Sequence, residues 1–74
     1  MITNEQLILN NLAKNIKSKR QELKLSQEQL ASKCGFDRTY ISLLERGKRN
    51  PSIINLKKLC DGLETELSNL LQNI

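Results

Sequence analysis

The sequence has no histidine, tryptophan or valine, and it contains one proline, three glycines and two aromatic residues. With Asp37 and Asp61 as its only aspartates, it is short of the usual general bases and zinc ligands, so we expect no enzyme, no metal site and no cofactor. No apolar run approaches the roughly 18 residues of a membrane span, and no basic segment precedes an apolar run as in a signal peptide. We therefore expect a cytoplasmic protein with no membrane partner.

The length of 74 residues allows a single small domain, residues 1–74. Because 38% of the residues are apolar, a modest core or a partner subunit has to stabilise it. Two cysteines, Cys34 and Cys60, are too few for a disulfide scaffold. Both lie in apolar periodic segments, which predicts reduced, buried thiols that act as small hydrophobic groups.

The formal net charge of +4 is unevenly distributed. Residues 14–49 carry ten lysines and arginines against four acids, whereas residues 59–74 carry three acids and no basic residue. This asymmetry indicates a polyanion bound at one face and another role at the C-terminal end. On charge alone, a nucleic acid, an anionic membrane and lysines without a function all remain open.

No segment alternates apolar and polar residues, so the sequence predicts helices throughout. Two segments have the form of a capping box, Thr3–Gln6 and Ser26–Gln29. Gly35 and Gly47 follow apolar periodic segments, as glycines at helix ends do. The remaining helix starts are predicted at Asp37, Ser52 and Thr65, and Gly62 weakens the last turn of the fourth helix.

Five helices with one apolar face each follow from the periodicity. The residues expected to face inward are Leu9, Leu12 or Ala13, Ile16, Arg20 and Leu23; then Leu30, Ala31 and Cys34; then Ile41 and Leu44; then Ile53, Leu56, Leu59, Cys60 and Leu63; and finally Leu67, Leu70, Leu71 and Ile74.

The spacing of residues 27–44 predicts a helix-turn-helix. Ala31 is small enough for two helices to cross closely, Gly35 permits a sharp turn four residues later, and Ile41 and Leu44 return to the first helix. The outward residues of the second helix are Arg38, Thr39, Ser42 and Leu43, with Tyr40 on the flank. An ordinary corner of a helical bundle is the alternative interpretation.

The residues from Leu12 to Leu70 resemble the phage-repressor (Cro/CI, or XRE) class of helix-turn-helix proteins. The resemblance lies in SQEQLA followed by Gly35, and in YISxxERGKRNPS from Tyr40 to Ser52. It implies an all-α, five-helix, phage-repressor-like domain. Within this class, residues 37–42 together with Arg46, Arg49 and Asn50 are similar to the controller proteins of restriction–modification systems.

The resemblance implies a role for each position. The third helix would enter the major groove of double-stranded DNA, and the backbone would be held from the flanks. Base contacts are expected from Arg38, Thr39, Ser42 and Leu43, and backbone contacts from Gln27, Tyr40, Arg46, Lys48, Arg49 and Asn50. Leu43 departs from the polar reader of many phage repressors, since it can touch only a thymine methyl group. For Tyr40, packing within the protein is the equal alternative.

Two further expectations concern structure and assembly. The resemblance implies that Arg20 and Glu45 form a structural ion pair, so Arg20 is not counted among the DNA contacts. The last helix, about residues 65–74, is expected to form a homodimer interface, because a monomer of this size can hardly bury all its apolar residues. That interface is expected to comprise Leu63, Leu67, Leu70, Leu71 and Ile74. Closure of the monomer's own core is the alternative.

The sequence thus predicts a sequence-specific transcriptional regulator that binds palindromic operators as a homodimer, as the controller of a restriction–modification system. It would repress or activate by blocking RNA polymerase or contacting it from an adjacent site. A phage or mobile-element repressor is one alternative. An antitoxin-type module, whose leucine-rich last helix covers a protein partner, is the alternative from a different class.

Overall fold

The computed structural model describes residues 2–74, and α-helices are the only regular secondary structure in that range. The five helices are α1 (Asn4–Glu22), α2 (Gln27–Cys34), α3 (Arg38–Glu45), α4 (Ile53–Gly62) and α5 (Leu67–Leu70). The predicted all-α, five-helix fold is therefore confirmed. None of the helices in the described part of the chain is long and apolar enough to cross a membrane.

Hydroxyl side chains cap the N-termini of three helices. Ser26 and Gln29 form a complete capping box, with bonds of 3.0 Å and 2.8 Å between each side chain and the other residue's backbone N–H. Ser52 caps α4 in the simpler way. The Thr3 hydroxyl accepts from the backbone N–H of Gln6 at 3.1 Å, but the Gln6 side chain does not return to Thr3. The first predicted capping box is thus only half formed, because Gln6 has another partner.

The turn between α2 and α3 follows the prediction. Gly35 has a left-handed backbone with φ of 75°, and the N–H of Phe36 closes the turn on the carbonyl of Ala31 at 2.8 Å. Space is open around Gly35, so its backbone angle alone requires a glycine there. Asp37 precedes α3 as expected, although its carboxylate makes no capping hydrogen bond.

The core lies where α1, α2, α3 and α4 meet. Ala31 of α2 is buried, and both α2 and α1 pack against α3. The side chains that form the core are Leu12, Ile16, Leu30, Ala31, Cys34, Ile41, Leu44, Leu59, Cys60, Leu63 and Leu70. The inward residues predicted for α2 and α3 all belong to this set, as do Leu12 and Ile16 of α1, whereas Leu9 and Leu23 are half-buried and lie outside it.

Both cysteines are buried free thiols, as predicted, and burial raises the pKa of each. The Sγ of Cys34 lies so close to Gly62 that a Cβ on this residue would clash with it. Gly62 therefore does more than end α4, because its missing side chain makes room for the thiol of α2.

The C-terminal segment differs from the predicted helix over residues 65–74. The α5 helix has four residues and starts after Glu66, and the Thr65 hydroxyl is buried without a hydrogen-bond partner among the described residues. The Nδ2 of Asn15 donates to the carbonyl oxygens of Leu70 and Gln72, each at 2.8 Å. These carbonyls are thereby bonded to α1, and the chain leaves the helix after one turn.

The prediction was wrong for two members of the dimer interface, which are buried within the single chain. Leu63 and Leu70 have 1% and 0% of their surface exposed, since both close the core of a single chain, as the alternative had it. Leu67 and Leu71 are half-buried, and Ile74 is 43% exposed. The prediction for Ile53 was also wrong: it is 62% exposed, so the inward face of α4 begins at Leu56.

Candidate nucleic-acid interface

One face of α3 is turned away from the core. Ile41 and Leu44 are buried one turn apart, which places the residues between and before them outside. Arg38 and Thr39, in the first turn, are exposed, whereas Ser42 and Leu43 are half-buried. The structure thus brings all four predicted base-contacting residues onto one helix, with the two most exposed at its N-terminal end.

A network of charged and polar side chains fixes α3 to the other helices. Arg20 holds the Glu45 carboxylate with two parallel hydrogen bonds, Nε to Oε2 at 2.6 Å and Nη2 to Oε1 at 2.9 Å. Its third nitrogen donates to the carbonyl of Leu25 at 2.8 Å. Only 12% of the Arg20 side chain and 3% of the Glu45 side chain are exposed. The hydrogen bond to Glu45 raises the pKa of Arg20. The predicted ion pair is therefore present, and the Arg20 guanidinium points into the protein.

The third member of this network is Gln27, the first residue of α2. Its Nε2 donates to Oε1 of Glu45 at 3.1 Å. An amide nitrogen carries two N–H groups, so one of them remains available for a second acceptor. The network thereby links the start of α2 to the end of α3, the two places from which a helix-turn-helix flanks its ligand.

Tyr40 packs within the protein and keeps one edge accessible. Its hydroxyl accepts from Nδ2 of Asn55 at 3.0 Å, and its ring centre lies 4.8 Å from that of Phe36. The guanidinium of Arg49 lies over the ring, 5.8 Å from its centre. The half-buried ring therefore orients a basic side chain of the following loop.

The loop after α3 carries three positive charges. Its four predicted backbone-contacting residues, Arg46, Lys48, Arg49 and Asn50, are all exposed. The backbone between them is nevertheless ordered: Gly47 has φ of 68°, and the N–H of Lys48 donates to the carbonyl of Leu43 at 2.9 Å. The Nε of Arg46 reaches back to the Ser42 carbonyl at 3.3 Å.

Three amide side chains near this surface make contacts that the sequence did not predict. Asn55 holds the Tyr40 hydroxyl, and Gln6 with Asn10 lies against the loop at Gly47. The contacts of Asn55 and Gln6 bridge 15 and 41 positions of sequence, so no local pattern marks them. Within residues 2–74, no group of three metal-ligating side chains comes together.

The chain belongs to the helix-turn-helix family HTH_3, whose family model matches residues 16–70. The predicted membership of the XRE class is thereby confirmed. Several relatives are named as control proteins, and an immunity repressor protein of Bacillus phage phi105 is 35% identical over 60 residues, 81% of this chain and 42% of that protein. Control protein C.MunI from Mycoplasma sp. is 45% identical over 58 residues, which are 78% of this chain and 78% of that protein. Control protein C.BamHI from Bacillus amyloliquefaciens is 37% identical over 71 residues, 96% of this chain and 85% of the relative.

A solved structure agrees with these sequence relationships. The restriction-modification controller protein C.AhdI from Aeromonas hydrophila superposes with a TM-score of 0.82 at 39% identity, over 84% of this chain and 94% of that one. The predicted fold and the predicted similarity to controller proteins are both confirmed by this match.

Proposed function

We propose that this protein is a sequence-specific DNA-binding regulator that controls a restriction–modification system. The observation that carries the proposal is the exposed face of α3, with Arg38 and Thr39 at its first turn and the basic loop of residues 46–50 at its other end. The buried pair of Arg20 and Glu45 holds this face in a fixed orientation. The relatives named as control proteins support the regulatory role.

The α3 face has the chemistry to distinguish bases. A guanidinium at Arg38 can donate two hydrogen bonds to O6 and N7 of guanine in the major groove. The hydroxyl and methyl groups of Thr39 and the hydroxyl of Ser42 suit a base edge or a phosphate, and Leu43 suits a thymine methyl group. Arg38 is therefore the residue expected to contribute most to sequence preference.

Backbone contacts come from both sides of α3. Arg46, Lys48, Arg49 and Asn50 supply three charges and an amide, while Gln27 offers its free N–H beside the N-terminus of α2. Four or five phosphate contacts per subunit, doubled in a dimer, would release about eight to ten counterions, which corresponds to a log–log salt slope of roughly −7 to −9.

A homodimer completes the operator-binding form. Leu67, Leu71 and Ile74 keep exposed apolar surface after the core is closed, and Ile53 and Ile54 at the start of α4 are 62% and 64% exposed. We expect a second copy of the chain to cover these residues, because exposed apolar surface is characteristic of subunit interfaces. A two-fold axis would place two α3 helices about 34 Å apart, in successive major grooves.

Selection of bound sequences from randomised duplex DNA at about 150 mM salt tests the proposal. We expect a palindromic consensus with half-sites about one helical turn apart. Uniform weak binding without a consensus would contradict the proposal and favour a protein-interaction module. Location of the consensus upstream of an endonuclease gene would distinguish a controller from a phage repressor, and its position relative to the promoter would decide between repression and contact with RNA polymerase.

Two matched variants test the residue roles on the selected site. Arg38→Ala should reduce discrimination against base changes at one position by about 1–3 kcal/mol. Lys48→Ala should weaken binding to all sequences alike and reduce the salt slope by about 1. Unchanged binding by both variants would show that the interface is assigned to the wrong surface.

A further inference from the structure

The amide of Gln6, in the first turns of α1, is bonded to the loop that follows α3. Its Nε2 donates to the carbonyl oxygen of Gly47 at 3.0 Å and to Oδ1 of Asn10 at 2.8 Å. Both N–H groups of this amide are therefore used, one for the loop and one for the neighbouring turn of α1. Gln6 and Asn10 are half-buried, which protects the two bonds from competition by water.

The loop backbone is shaped to this amide pair. Gly47 is buried with φ of 68°, and a Cβ there would lie 2.5 Å from Oδ1 of Asn10 and 3.3 Å from Nε2 of Gln6. A side chain at residue 47 would thus meet both a strained backbone and an occupied space. The loop comes this close to α1 because the glycine leaves room for the two amides.

The contact joins α1 to the centre of the basic loop. Arg46 lies immediately before Gly47, and Lys48 and Arg49 follow it, all three exposed. Ile8, Leu9 and Asn50 line one depression, so the first turns of α1 also lie beside the end of the loop. Gln6 and Asn10 precede the segment of residues 16–70 that the family model matches.

We propose that Gln6, oriented by Asn10, is a positioning residue for the phosphate-contacting loop. It holds the Gly47 carbonyl and thereby the backbone from which Arg46, Lys48 and Arg49 project. A loop ordered before binding loses less conformational entropy on the DNA, and therefore binds more tightly. This inference rests on the proposed function, because it assigns Gln6 to DNA affinity and not to base preference.

Gln6→Met tests the proposal, because methionine keeps the length and helix propensity of glutamine and removes the donor. Gln21→Met is the matched control, since Gln21 is exposed on the same helix and its side chain makes no hydrogen bond within the described residues. Amide hydrogen exchange should accelerate at Gly47 and Lys48, whose N–H groups donate to the carbonyls of Leu44 and Leu43, in Gln6→Met and stay unchanged in Gln21→Met. Exchange that remains slow in Gln6→Met would overturn the proposal without any reference to DNA.

Binding to the selected operator supplies the second measurement. We expect Gln6→Met to bind about threefold to tenfold more weakly, the range for loss of one hydrogen bond, with a salt slope shallower by about 1. The ratio of affinities for the operator and for a single-base variant should not change. If Gln6→Met only lowered the stability of the protein, the folded molecules would bind DNA with the salt slope of the wild type. Asn10→Ala should act in the same direction and more weakly.

The failures of the two proposals are distinguishable. If the wild type selects a consensus and Gln6→Met binds it with unchanged affinity and slope, the positioning role is wrong while the proposed function stands. If Gln6→Met changes the base preference, Gln6 acts on α3 and not on the loop, which also contradicts the proposal. A wild type that selects no consensus would overturn the proposed function, and with it the assignment of Gln6 to DNA affinity.

Discussion

The helix-turn-helix and the C-terminal segment are attached to α1 by different kinds of interaction. Arg20 holds Glu45 at the end of α3 through two parallel hydrogen bonds that are almost fully shielded from solvent. The C-terminal segment is held by Leu70 in the core and by the amide of Asn15, which bonds two backbone carbonyls. Both regions also contribute to the apolar core, but only the helix-turn-helix adds a buried ion pair, whereas the C-terminal segment adds neutral hydrogen bonds.

This difference suits the two proposed roles. A guanidinium and a carboxylate bonded at two points permit a single relative orientation, so the α3 face is presented at a defined angle. Apolar packing is non-directional, and α5 is a single turn that leaves Leu71 and Ile74 accessible. A surface that reads bases needs the first property, and a surface that meets another copy of itself can adapt through the second.

The largest expected effect comes from breaking the ionic attachment. Glu45→Ala leaves the Arg20 guanidinium buried without its counter-charge, and we expect the free energy of unfolding to fall by about 3–5 kcal/mol. Urea denaturation measures this loss. Glu22→Ala is the control, since its exposed pair with Lys19 should contribute at most about 1 kcal/mol. Equal losses in the two variants would contradict the contrast between the regions.

The apolar attachment is tested by two neighbouring leucines. Leu70→Ala removes a fully buried side chain and should cost about 2–5 kcal/mol of unfolding free energy. Leu71→Ala should cost less and should instead weaken self-association, because Leu71 keeps exposed surface. Urea denaturation and sedimentation equilibrium separate the two effects. A Leu71→Ala variant that associates as tightly as the wild type would remove this residue from the proposed interface.

A third variant tests the contact between α2 and the end of α4. Gly62→Ala places a methyl group where Cys34 Sγ lies, and we expect a loss of about 1–3 kcal/mol despite the better helix propensity of alanine. Cys34→Ala in the same chain should recover part of this loss. Thermal denaturation of the single and double variants gives the coupling energy, and strictly additive effects would disprove the steric explanation.

The smallest effect is expected at an exposed ion pair between α2 and the turn that leads from α4 to the C-terminal segment. Lys33 on α2 contacts Glu64 after α4 at 3.1 Å, with side chains 39% and 65% exposed. Lys33→Met should change the free energy of unfolding by about 1 kcal/mol or less, and the difference should vanish in high salt. Lys17→Met, at an exposed lysine of α1, is the control. A large loss that persists in salt would mean that the two regions are coupled ionically as well.

Much of the helix-turn-helix could be predicted because its determinants are local. The Ser26 capping box, the left-handed Gly35 and the spacing of Ile41 and Leu44 each depend on residues within a few positions of one another. The outward placement of Arg38 follows directly from that spacing. The Arg20–Glu45 pair spans 25 positions, and the family resemblance rather than the local pattern indicated it.

The α4 helix and the C-terminal segment were predicted less well because their determinants are distant. Apolar periodicity marks Ile53 and Leu63 alike as inward, yet the first is 62% exposed and the second 1% exposed. Periodicity states which residues share a helix face but not where the neighbouring helix ends. The bonds from Asn15 to the C-terminal segment bridge 55 and 57 positions, and they occupy carbonyls at and just beyond the end of α5.

The sequence by itself determined the helical class, the starts of α1, α2 and α4, the turn at Gly35 and the exposed face of α3, since hydrogen bonds and periodicity within one or two turns specify them. The tertiary structure alone decided that Leu63 and Leu70 close the core of a single chain and that Gly62 leaves room for the Cys34 thiol. It also decided that the Gln6 side chain donates to the Gly47 carbonyl and not to its predicted capping partner. These features depend on contacts between residues that are far apart in the sequence, because close packing of the core depends on the positions of all five helices at once.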